Sequence, residues 1–102
     1  MIPLIETKRS GIEDLCRRFH VARLEVFGSA AEGTFDPSRS DLDFLVEFRR
    51  TPEMTAADQY FGALEALTNL FNRKVDLVEI GALQNSYFIK RVNETRKLLY
   101  AA

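Results

Sequence analysis

A chain of 102 residues can fill one core of two packed layers but hardly a second, so residues 1–102 are expected to form a single domain. The apolar and charged fractions, 46% and 28%, exclude a disordered chain, and a net charge of −1 excludes the broad positive surface with which proteins grip long nucleic acids. No run of about 18 apolar residues is present and MIPLIETKRSG lacks the pattern of a signal peptide, so no membrane contact and a cytoplasmic location are expected; the lone Cys16 agrees with a reducing compartment.

From Ser10 to Phe19, Ile12, Leu15, Cys16 and Phe19 share one helical face, which predicts a short amphipathic helix capped by Ser10 with Glu13 three residues on. Cys16 lies on that apolar stripe and reads as packing. His20 follows the helix, where its role is structural. Arg23 to Phe27 reads as a strand that breaks at Gly28-Ser29, and a loop rich in Gly, Asp, Pro and Ser leads to a longer strand, Asp41 to Phe48. The period of two puts Leu42, Phe44, Val46 and Phe48 on one face of that strand, with Asp41, Asp43, Leu45 and Glu47 on the other. Thr51-Pro52 marks the start of a helix running to about Asn72, with Tyr60, Leu64, Leu67 and Phe71 as its core-facing stripe. Lys74 to Ile80 is a third strand, Leu83 to Thr95 a further helix, and Lys97 to Tyr100 a short last strand. The order helix, strand, strand, helix, strand, helix predicts an α+β fold, a small mixed sheet backed by helices.

Three carboxylates interrupt this apolar pattern. Asp41 and Asp43 are two apart on one strand face, with Cα atoms about 6.5–7 Å apart, and can bracket ions between and beyond them. Two-metal sites hold their ions about 3.5–4 Å apart and stabilise both the attacking and the leaving oxygen in a phosphoryl displacement. Magnesium takes oxygen ligands and keeps part of its shell for water and phosphate, so two or three carboxylates suffice. Asp76, between Val75 and Leu77, would tend to neutralise if isolated; a neighbouring metal would keep it ionised. If the third strand pairs beside the second, Asp76 faces the aspartate pair. Gly28 permits close backbone approach, and Ser29 offers a hydroxyl and N–H groups to phosphate oxygens.

Gly28-Ser29, eleven intervening residues, Asp41-Leu42-Asp43, and Asp76 on a later strand together resemble the signature of the polymerase-beta-like nucleotidyltransferase superfamily. Within it the chain resembles the minimal nucleotidyltransferases (MNT), antitoxins paired with HEPN-domain toxins. The resemblance implies the nucleotidyltransferase fold, with Gly28 and Ser29 on the triphosphate, Asp41 and Asp43 on two Mg2+ ions, and Asp76 as a further carboxylate that helps to activate the attacking hydroxyl. Arg39, two residues before Asp41, is a candidate for a phosphate contact. The implied reaction moves AMP from ATP to a tyrosine of a HEPN RNase toxin, in a hetero-oligomer with it. Glu32 stands where relatives often carry a basic residue, and the gap before Asp41 is one residue longer than in many MNT proteins. Two alternatives remain open: an antitoxin that works by binding alone, and a catalytic subunit that modifies a small molecule or an RNA end.

Overall fold

The computed structural model describes residues 2–36, 38, 41–82 and 84–102. Its elements are α1 (Pro3–Glu6), α2 (Arg9–Arg18), β1 (Val21–Phe27), α3 (Ser29–Glu32), β2 (Leu42–Phe48), α4 (Ala56–Phe71), β3 (Val75–Glu79), α5 (Ser86–Thr95) and β4 (Lys97–Ala101), with a 3-10 turn at Ile80–Ala82. The expected order of helices and strands is present, with α1 and α3 added. Four strands form one sheet in the order β3-β2-β1-β4. β1 runs antiparallel to both β2 and β4, whereas β2 and β3 are parallel. A parallel neighbour requires a long crossover, and α4 supplies it.

The periodicities of the sequence explain the packing. Ile12, Leu15 and Cys16 of α2 and Leu67 and Phe71 of α4 meet Leu24, Val26, Leu42, Phe44 and Val46 in one buried cluster. Each fully buried Leu or Phe contributes about 1.5–3 kcal/mol. Burial pushes the Cys16 thiol up to about 12, so this residue is inert packing. The opposite sheet face is also covered, because Phe27 and Leu45 pack against Val92 of α5. That second layer explains why Leu45 shares the face of Asp43 and is nonetheless buried.

Three local expectations are corrected. Helix α2 is capped at Lys8 without a side-chain hydrogen bond, so Ser10 lies inside the helix. Thr51-Pro52 does not open α4: Thr51 bridges to Met54, and its Oγ1 accepts a hydrogen bond from Glu53 N–H at 3.2 Å in a tight turn. The cap is Thr55, whose Oγ1 accepts from Asp58 N–H at 3.0 Å. Both threonines carry capping chemistry, and the one adjacent to the apolar run prevails. Finally, α5 starts at Ser86 with Asn85 as its cap, and Leu83, its expected start, lies outside the described residues.

Candidate functional site

Strand register brings the singled-out residues together. Phe27 on β1 pairs with Asp43 on β2, which pairs with Asp76 on β3. One row across three strands therefore ends in the turn that follows Phe27, beside the two carboxylates. At that turn Gly28 adopts φ 72°, ψ −148°, a left-handed conformation in which a side chain is strained. A Cβ there would lie 2.7 Å from Asp43 Oδ2, so glycine is required for space as well as for conformation. The Gly28 carbonyl accepts from the N–H groups of Ala31 and Glu32, both at 3.0 Å, while its own N–H donates to the buried Thr95 Oγ1 at 3.0 Å. Ser29 is left facing a cleft of about 570 Å3 lined also by Gly28, Asp43, Asp76, Tyr60 and Arg91, a volume within the ordinary range of ligand pockets.

Asp43 is under electrostatic tension. Burial first, then the hydrogen bond shared with Asp76 and the charges of Asp76 and Asp41, raise its carboxyl to about 6, with Arg91 pulling in the opposite direction. Two facing carboxylates next to a cradle kept open by glycine form a hard-oxygen donor set that fits Mg2+. Asp41 stands apart. It precedes β2, its side chain is 40% exposed, and Oδ2 lies 3.4 Å from Lys74 Nζ. Among the described residues no group of three or more acidic, His or Cys side chains is gathered closely enough to hold a metal by itself. Strand register thus sets Asp76 opposite Asp43, with Asp41 two residues before it.

Arg39 lies outside the described residues. Several other arginines are engaged elsewhere: Arg17 pairs with Glu13 and Asp14, Arg23 with Glu25, and Arg50 with Glu79, while Arg18 lies over the Phe19 ring. His20 Nε2 lies 3.2 Å from Glu53, in keeping with a structural role. Tyr60 and Leu64 pack against the core as expected and also line the cleft, and the Tyr60 hydroxyl donates to the Leu77 carbonyl. Sequence reading missed Arg91 and Thr95. Their signal was the spacing Phe88, Arg91, Val92, Thr95, which is one face of α5 and includes two polar residues on an otherwise apolar stripe.

The chain was compared with known proteins. The family described as "Nucleotidyltransferase domain" matches residues 8–99. A Methanocaldococcus jannaschii protein named "Putative protein adenylyltransferase" is 36% identical over 80 residues, covering 78% of each chain. A solved "putative minimal nucleotidyltransferase" superposes with a TM-score of 0.72 at 29% identity, covering 91% of this chain and 90% of its own. Two more distant structures share the fold. One is a toxin-antitoxin with AMP-PNP (TM-score 0.69, 22% identity, 92% and 73% covered), the other a tri-AMPylated Shewanella oneidensis HEPN toxin in complex with MNT antitoxin (0.64, 18%, 95% and 72%). With the Gly28-Ser29 turn beside Asp43 and Asp76, and a family match across nearly its whole length, the chain belongs to the nucleotidyltransferase domain family, as a nucleotidyltransferase of the minimal type.

Proposed function

We propose that this nucleotidyltransferase is a magnesium-dependent protein adenylyltransferase that moves AMP from ATP to a tyrosine hydroxyl of a HEPN RNase toxin, acting in the cytoplasm as its antitoxin within a hetero-oligomer. The observation that carries the reading is the row Phe27, Asp43, Asp76, which sets the Gly28-Ser29 turn against two carboxylates in one cleft. Support comes from the relative named a protein adenylyltransferase and from fold neighbours solved with AMP-PNP and with an AMPylated toxin.

In this reading Gly28 and Ser29 hold the triphosphate, with Arg39 as a further phosphate contact. Asp41 and Asp43 are the ligands of two Mg2+ ions, with Asp76 beside them. When bound, the ions supply charge neutralisation along the phosphate chain. Asp76 accepts the proton of the attacking phenol, and the phenol oxygen bonds to the α-phosphorus as the bond from that phosphorus to the bridging oxygen breaks and pyrophosphate leaves. Gly28 keeps the turn within reach because no Cβ intervenes.

The test uses ATP labelled at the α-phosphate, Mg2+ and the HEPN partner. Label is expected on the partner with the wild-type protein and to fall at least about a hundredfold with Asp43→Asn, consistent with loss of one charge-stabilising group. Equal labelling by Asp43→Asn would sink the metal assignment. A second reading, neutralisation by binding alone, is favoured by the Asp41–Lys74 pair, which sets a cation against one expected ligand. It predicts that an Asp41→Asn, Asp43→Asn double variant still silences the toxin.

A further inference from the structure

The cleft contains a charge imbalance. Among the described residues that line it, Asp43 and Asp76 are anionic and Arg91 is the one cation. A nucleoside triphosphate brings several further negative charges, most of them on the β- and γ-phosphates that depart together. The loop arginine expected to meet them, Arg39, lies outside the described residues.

Arg91 differs from most other arginines of the chain. Arg9, Arg17, Arg23, Arg50 and Arg96 each pair with a carboxylate, and Arg18 and Arg73 lie over aromatic rings. Among the described residues the Arg91 guanidinium has neither kind of partner, although it stands on the wall of an acidic cleft. Its backbone is nevertheless well fixed. One turn along α5, Thr95 Oγ1 receives the Gly28 N–H, and the adjoining Arg96 donates to the buried Glu25 from Nε at 2.7 Å. The helix that presents Arg91 is thus fastened directly to the turn that presents Ser29.

We propose that Arg91 is a substrate-binding residue whose guanidinium takes the departing β- and γ-phosphates of the nucleoside triphosphate, on the wall of the cleft formed by α5. The assignment rests on the reading of the cleft as a nucleotidyltransfer site and deepens it by naming the subsite that distinguishes a triphosphate from a monophosphate. A planar guanidinium can donate two parallel hydrogen bonds to phosphate oxygens, which an ammonium cannot do in the same fixed geometry. As the bond between the α-phosphorus and its bridging oxygen breaks, negative charge grows on the pyrophosphate, and a fixed cation beside it stabilises that charge.

Binding of the α,β-methylene analogue of ATP and of AMP, each with Mg2+, would be measured by calorimetry for the wild type, Arg91→Gln, Arg91→Lys and Asp43→Asn. Loss of charge-assisted hydrogen bonds predicts that Arg91→Gln raises the Kd of the triphosphate analogue roughly tenfold or more and leaves that of AMP within about twofold, with Arg91→Lys between. The Arg91 side chain is exposed, so both Arg91 variants should remain folded, which thermal unfolding checks. Unchanged triphosphate binding in Arg91→Gln, or equal weakening for triphosphate and AMP, would overturn the subsite while leaving the nucleotidyltransfer reading intact, provided that Asp43→Asn weakens both ligands. Failure of the wild type to bind the triphosphate analogue would overturn both.

Discussion

At the scale of single residues, Asp43 shows how a functional arrangement lowers stability. Its carboxyl is raised to about 6 by burial and by Asp76, so between the usual carboxylate range and about pH 6 the folded state holds a proton that the unfolded chain releases. The contribution of this group is therefore fully present below the unfolded value and is lost as pH rises through about 6. Without metal, Asp43→Asn should unfold at a higher temperature than the wild type, and the gap should widen from pH 4.5 to pH 7.5. Thermal melts at the two pH values test this, and a gap that narrows would refute it. With Mg2+ at pH 7.5 the wild type should gain stability that the variant does not, and apparent Mg2+ affinity should fall as protons compete below about pH 6. The three carboxylates were legible as out-of-place acids in apolar strands. Their meeting was legible only on the condition that the third strand pairs beside the second, since Asp76 reaches Asp43 through the register of two strands separated by a helix.

At the scale of elements, α5 links recognition to scaffold. Thr95 accepts from Gly28 N–H inside the protein, and removing that acceptor leaves a buried donor unsatisfied. Thr95→Val should cost about 1–3 kcal/mol of stability. As Thr95 acts through the Gly28 turn rather than on substrate, it is a positioning residue: the variant should raise KM for the nucleotide more than it lowers kcat, and Thr95→Ser should restore both. An unaltered KM in a folded Thr95→Val protein would confine Thr95 to a structural role. The existence of α2, α4, α5 and all four strands followed from hydrophobic period, whereas their starts were harder to read. Thr51 and Thr55 are chemically equivalent caps, and only the placement of Pro52 in a turn bridged by Thr51 and Met54 separates them.

At the scale of the whole molecule, one buried polar side chain binds the layers. Gln59 of α4 is fully buried; its Nε2 donates to the carbonyls of Phe19 and Arg49, and its Oε1 accepts from Arg50 Nη1 at 3.1 Å. It fastens α4 to the end of α2 and to the end of β2. Gln59→Leu would leave those carbonyls without their donor, at a cost of about 2 kcal/mol, which corresponds to a fall of several degrees in Tm for a domain of this size. Calorimetric unfolding would check the value, and an unchanged Tm would show that the carbonyls find other partners.

Local chemistry alone determined the apolar faces of the helices and strands, the exceptional position of the aspartates and the break at Gly28-Ser29, because helical and strand periods and glycine's backbone freedom are properties of neighbouring residues. Tertiary structure decided which carboxylates meet, that Asp41 lies beside Lys74, that Tyr60 and Arg91 line a cleft, and that Thr95 joins the Gly28 turn. These depend on strand order and register, and on the seating of α5 against β1. Residues 67 positions apart, such as Gly28 and Thr95, are brought into contact by burial of the whole core rather than by any signal between them in the chain.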